Sequence, residues 1–421
     1  MRSAAVGGAT AGASVTDVSD PGSPNPFEGF PLFGDLAKLL GQAGGGVPWD
    51  AARNLALAVA TDNTAEPNVD PLERIQLEQL ARVAELHVAN VTGLSTSVTG
   101  RGLTVLPVNR SVWAQRTLDD YRPLLEKLAA SLGSTDALAE AGDDADLGGR
   151  PDDQFAAMLG PMIQAMQPMM VAMTAGSMVG HMARRAFGQY DLPIPRTPGD
   201  ELLILVPNLD EFGKGWSLPA DDLRLWICLH EIAHHTVLGV PHVRARLESL
   251  MGEYTTKFRN DPQALEEHLG DLDLSGGPES LAGLQQALGE PGALLGAIQS
   301  DEQRALLPHL EALVAVVVGV VDHVMDEVGA KLIGSYGMLT EALRRRRVET
   351  GEADRFVERL LGLELTQAVY DRGSAFVAGV VERAGPEGLA RLWEGEAMLP
   401  SPPEVDAPGL WLARIDLPHD A

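Results

Sequence analysis

Apolar residues recur at three- and four-residue intervals through most of the chain and strict alternation is rare, a pattern that predicts a body of helices. Ile75, Leu77, Leu80, Val83, Ala84 and Leu86 set one helix from about Asp70 to Val91. The run WDAARNLALAVAT sets another before it, so the ordered chain is expected to begin near Val47, and Trp113 to Leu132 sets a third. Later helices are expected over Ala305–Leu332, Met338–Val348, Ala353–Arg372 and Ser374–Ala384, with a loose, Gly-interrupted one over Leu274–Gly296. Only LLILV, Leu202 to Val206, reads as a strand, closed by Pro207 and Asn208. A helix carrying LHEIAHH starts near Asp221, behind Ser217 and Pro219, with Asp221 and Asp222 in its first turn, where the macrodipole favours acids. Pro400–Pro418 reads as an extended cap. The expected fold class is mainly α (α+β): a helical body with one small sheet next to the LHEIAHH helix, and no internal repeat.

Residues 1–46 are rich in Gly, Ala, Ser and Pro without a sustained period and read as a flexible tail, with a short apolar helix at Phe33–Leu40 able to dock on the body. Residues 47–421 read as one domain with room for two lobes flanking the motif helix, and GDDADLGG at Gly142–Gly149 reads as an acidic loop. The uncharged stretch Phe155–Gly180 is long enough to cross a bilayer. Pro161, Pro168, Gln164 and Gln167 interrupt it, and its methionines suit an irregular core. It reads as a buried central helix.

Charge narrows the choice of partners. With 59 acidic against 32 basic residues the chain carries −27, a field that repels phosphate backbones and anionic lipid. Nucleic acid and membrane are therefore not expected as partners, and the oligomeric state is left open. The single cysteine, Cys228, excludes an intramolecular disulfide and a Cys-based structural zinc site. The opening MRSAAVGGATAGASV is too weakly apolar for a signal-peptide core, so a cytoplasmic location is expected. Arg344–Arg347, the only basic run, reads as a solvated helix face pairing with the protein's own acids.

The chemistry sits in LHEIAHH. His230 and His234 are four residues apart, and four residues turn a helix by about 400°, so both imidazoles leave nearly the same face one turn apart. Two zinc ligands need that geometry. Glu231 can then reach a metal-bound water as general base without ligating the metal itself. The helix is otherwise apolar, and a buried polar triplet must be satisfied by something. The competing reading is a pair of core histidines bonded to their neighbours.

Catalytic zinc needs a third protein ligand and an open position for water. A third His following Gly is not available in the usual register, because Val237 and Val240 hold those places and Gly239 and His242 come two residues late. A later acid or His is the other route. LVAVVVGVVDHVMDEVG buries such groups among valines, which makes His323 the first candidate and Asp322 the alternative, with Asp326 and Glu327 read as solvated.

From about Pro48 onward the chain resembles zincin-like metallopeptidases of actinobacteria, often labelled hydrolases of unestablished substrate and in one branch associated with coenzyme F420 biosynthesis. The stretches that carry the resemblance are NVDPLERIQLEQLARVAELHV, GHMARRAFGQYDLPIPR, LHEIAHHTVLGVPHVRARL, DHVMDEVGAKL and ERLLGLELTQAVYDRGSAFVAGVVERAGPEGLARLWE. It implies a zincin-like fold and a Zn2+-dependent hydrolase, a metallopeptidase acting on a peptide or protein. In such a protein LLILV would offer an edge for an extended substrate to pair with. The resemblance also implies a Glu–Gly pair opening the second motif, with the Glu as third ligand; this chain has Val318 before Gly319, and Asp322 falls four residues on. The alternative function is therefore a weakened or inactive zincin scaffold serving as a binding module.

Overall fold

The computed structural model describes residues 46–133, 151–258, 300–348 and 352–417, the side chains of 132–133, 151–166, 348, 352–354 and 356 excepted. The expected tail with its Phe33–Leu40 helix, the Gly142–Gly149 loop and the Leu274–Gly296 helix lie outside the described residues. In chain order come α1 (Trp49–Thr61), α2 (Pro71–Thr92), β1 (Thr104–Val108), α3 (Arg110–Gly133), α4 (Pro151–Ala183), β2 (Glu201–Leu205) and α5 (Val206–Trp216). Then follow α6 (Ala220–Leu238), α7 (Pro241–Thr256), α8 (Asp301–Leu332), α9 (Tyr336–Val348), α10 (Glu352–Leu361), α11 (Gln367–Ala390), α12 (Pro402–Asp406) and α13 (Pro408–Ile415). The fold is mostly helical with one small sheet, as the apolar spacing predicts.

Helix α6 carries the motif and is apolar almost all round, so it needs cover on every side. Helices α2 and α8 supply most of it. Helix α2 starts where Asp70 accepts from Leu72 N with Pro71 behind it, and stops at Gly93 in the left-handed region, φ 68°. Helix α8 starts at a capping box of Ser300 and Gln303 and buries an unbroken apolar run, Ala312 to Val321. By length and composition α8 could cross a membrane, yet 61% of its most apolar window is buried within the protein. It packs there on α6, α7 and α11.

Small residues set the closest helix approaches. Gly176 and Gly180 of α4 lie against Ala52, Ala56 and Val59 of α1, where an added Cβ would meet the Ala52 carbonyl. From Gln167 onward the uncharged stretch is thus part of a packed helix, although Met170 and Met173 remain exposed. Gly319 of α8 meets Gly373 of α11 backbone to backbone.

The sheet is parallel, pairing Thr104 with Glu201 through Val108 with Leu205. Strand β2 is buried along Leu202–Leu205, and its second edge is taken: Gly188 bridges to Ile204 and Leu205 N donates to Phe187 O at 2.7 Å. The expectation that LLILV offers an open edge to a substrate is therefore corrected. Two more expectations change. The C-terminal segment is not extended but holds α12 and α13, and the α10–α11 break falls at Gly362, not at Gly373.

Candidate metal centre

The motif helix is fixed at its start before any chemistry is considered. Buried Arg224 gives two hydrogen bonds to the Glu73 carboxylate of α2, at 2.9 and 2.7 Å, and a third to Asp210 of α5 at 3.0 Å. A guanidinium in this fork geometry locks the rotation of α6 about its axis. Asp222, in the first turn, accepts from Ser335 N and Oγ at 2.8 and 2.6 Å.

That rotation lines up three rings along one edge. Trp226 stacks on His230 with centroids 4.9 Å apart, and His230 lies 4.4 Å from His234. The Nδ1 of His234 is 3.1 Å from the His230 carbonyl, and the Nδ1 of His230 is 3.0 Å from Glu231 Oε1. Both rings thus commit Nδ1 within the protein, which leaves Nε2 of each as the electron-pair donor. Burial pushes both imidazoles down to about 3, so they are neutral at ordinary pH, as metal ligation requires.

Glu231 is only 1% exposed. Tyr190 N donates to its Oε2 at 2.8 Å, and Tyr190 stacks nearly parallel to His234. Gly188 lets this backbone lie on the carboxylate, since a Cβ there would overlap Glu231 Cδ. Burial raises the Glu231 carboxyl to about 7, against the pull of His234 and of the Tyr190 N–H. A carboxyl poised there is suited to taking and giving a proton at neutral pH.

The comparisons with known proteins bear on family and fold. A family model described as "Zincin-like metallopeptidase" matches residues 47–412. The chain belongs to that family. A crystal structure reported as "a putative hydrolase with a novel fold from Chloroflexus aurantiacus" aligns with a TM-score of 0.60 over 89% of this chain and 100% of the other. At 23% identity that likeness is one of fold. No curated protein matches.

In this zincin-like chain the third ligand is where expectation and structure part. Among the described residues no three His, Cys, Asp or Glu side chains assemble into a group able to hold a metal. His323 and Asp322 therefore do not join His230 and His234 here. Asp322 turns to Arg347, 3.7 Å away; burial raises its carboxyl and the guanidinium opposes the rise. His323 lies near Glu327, which is exposed and pairs with Lys331 at 2.8 Å. Val318 is buried and brings no ligand atom. His242 bonds the Leu392 carbonyl at 2.9 Å and takes no part in the site.

A cavity of about 110 Å³ opens over the motif, lined by Asp191, Trp226, His230, Glu231, Arg346 and Arg347 among others. The basic run pairs with the protein's own acids, as expected: Arg345 with Glu341 at 2.7 Å, Arg346 with Asp191 at 3.9 Å and Arg347 with Asp322 at 3.7 Å. Arg344, Arg345 and Arg347 are exposed and only Arg346 is half-buried; Arg346 lies 3.8 Å above the Phe187 ring and Arg347 4.1 Å above Tyr370. Gly188, Tyr190, Asp191 and the cavity-lining Arg346 and Arg347 are the site residues that periodicity and spacing did not mark. The first three fall in GHMARRAFGQYDLPIPR, which only the family resemblance had singled out.

Proposed function

We propose that the protein is a zinc-dependent hydrolase acting on peptides, with Glu231 as general base. One observation carries the reading: two neutral imidazoles one helical turn apart, each with Nδ1 committed, beside a buried carboxyl whose pKa lies near 7. His230 and His234 would hold the metal. Bound zinc supplies a polarised carbonyl and an acidified water. Glu231 would take a proton from the attacking water and give it to the leaving amine. The Tyr190 N–H holds the carboxylate in place through the transfer, and Trp226 keeps the His230 ring from turning.

The test is metal content together with Glu231→Gln. The purified protein should hold about one zinc per chain. The variant should keep that zinc and lose hydrolysis by about two orders of magnitude or more. Unchanged turnover in a fully zinc-loaded variant would reject Glu231 as the base.

A binding scaffold with a weakened centre is the second reading. Val318, standing where the family resemblance places a ligand Glu, favours it. A protein that stays metal-free at micromolar zinc would select this reading.

A further inference from the structure

The 110 Å³ cavity over the motif adjoins a larger one of about 360 Å³, and Arg347, Glu358, Leu365 and Tyr370 line both. Arg355 and Arg359, one turn apart on α10, add two more guanidiniums to the outer wall. Neither has an acidic partner among the described residues; Arg359 Nε only caps the Arg355 carbonyl at 3.3 Å. Thr366, the N-cap of α11, and Gln367, its first residue, complete that wall, so the positive end of this helix borders it as well. Two acids share the wall, exposed Glu364 and Glu358, which accepts from Leu365 N at 3.3 Å within the turn that joins α10 to α11, and Arg347 also faces Asp322 at 3.7 Å.

The lining thus sets three guanidiniums, Arg347, Arg355 and Arg359, against two carboxylates, in a chain whose net charge is −27. We propose that the outer cavity is a carboxylate subsite: Arg355, Arg359 and Arg347 hold an acidic group of a peptide whose neighbouring bond lies over His230 and Glu231. Planar guanidiniums match carboxylates in two-point contacts, and a site of this size takes one or two residues of an extended chain. The carboxylate comes from an Asp or Glu side chain or from the peptide's own C-terminus. The inference deepens the hydrolase reading and rests on it for the word substrate; the binding itself does not.

The test is fluorescence anisotropy on full-length Glu231→Gln, which binds without turnover. Labelled pentapeptides are compared in pairs, Asp against Asn and C-terminal acid against C-terminal amide. At least one carboxylate-to-amide change should weaken binding about tenfold or more, and the pair that responds identifies the source of the group. Arg355→Gln/Arg359→Gln, placed in the same background, should bring the acidic peptide down to the affinity of its neutral partner. Both arginines are exposed, so unfolding of the variant is not expected, and its thermal midpoint checks this. Arg74→Gln, an exposed arginine lining neither cavity, should leave the preference intact. Equal affinities in both pairs, no measurable binding of any peptide, or a preference that survives the double substitution would each overturn the subsite. Zinc content and hydrolysis are read separately on the native protein. A chain without zinc or turnover that keeps the preference sinks the hydrolase reading alone, and an active zinc enzyme without it sinks the subsite alone.

Discussion

At the scale of single residues, the site works by contacts that leave no room for change. Gly188 is the sharpest case, because any side chain there overlaps the Glu231 carboxyl. Gly188→Ala should cost about 1–3 kcal/mol of stability, as overpacking does, and should reduce hydrolysis while zinc stays bound. Denaturant unfolding with metal analysis checks this, and a variant as active as the parent would show that Glu231 can move freely. Behind the same carboxylate, Tyr190 reaches in the other direction. Its hydroxyl is 3.1 Å from Nδ1 of buried His235, whose Nε2 has no hydrogen-bond partner and lies 4.0 Å from Asp200. Tyr190→Phe would leave both nitrogens of that ring without a partner. A loss of about 1–3 kcal/mol is expected, since an unsatisfied buried polar group forfeits its desolvation cost. Because the Tyr190 N–H to Glu231 is a backbone contact, zinc content should not change.

At the scale of elements, the helices were legible because each keeps an apolar stripe at helical spacing. What escaped had a physical reason in each case. Strand β1, TVLPV, is short and contains Pro107, which weakens a strand assignment. Helix α5 begins with Val206 and Pro207 directly after β2, and a proline in that place was read as a stop although it suits the first turn of a helix. The same rule underlies α12 and α13, which start at Pro402 and Pro408 in a segment read as extended. Gly373 looked like a break, but the close approach of α8 requires a residue without a side chain there, and the helix runs through it. The two histidines and Glu231 were legible from spacing alone. The cavity walls were not, because residues 188–191 and 346–347 meet α6 only through tertiary packing. This scale also holds the question of the missing acid. Val318 is one turn before Asp322 on α8, and the family resemblance expects a ligand Glu in its place. Val318→Glu should raise zinc affinity about tenfold or more if position 318 faces the ion, as a restored third ligand would. Competition against a calibrated chelator measures it. Unchanged affinity combined with a lowered unfolding midpoint would mean that the buried glutamate found no metal to satisfy it, and that the ion, where bound, is held by another group.

At the scale of the whole molecule, two electrostatic effects act in opposite directions as pH falls. Protonating surface carboxylates relieves the self-repulsion of a chain carrying −27 and favours the compact state. The buried groups of the centre do the reverse. Burial lowers His230 and His234 to about 3 and His235 to about 4, so these rings are neutral when folded but take up protons near their ordinary value when unfolded. Glu231, raised to about 7, binds its proton more readily in the folded state. Between about pH 4.5 and 6.5 the unfolded chain therefore gains protons on three imidazoles, while the folded chain holds one more on a carboxyl. The imidazoles outnumber the carboxyl, and stability of the metal-free protein should rise with pH across that window and fall on acidification. Surface repulsion is screened within about 8 Å at physiological ionic strength, whereas buried groups are screened much less, so added salt should suppress the first effect and leave the second. The unfolding midpoint of chelator-treated protein, followed from pH 6.5 to 4.5 in high salt, should decrease steadily. Zinc should make the decrease steeper, because ligation demands the neutral rings that acid removes. A midpoint that rises on acidification in high salt would mean that the three histidines reach water or a charged partner, and the desolvated centre on which the hydrolase reading depends would not exist.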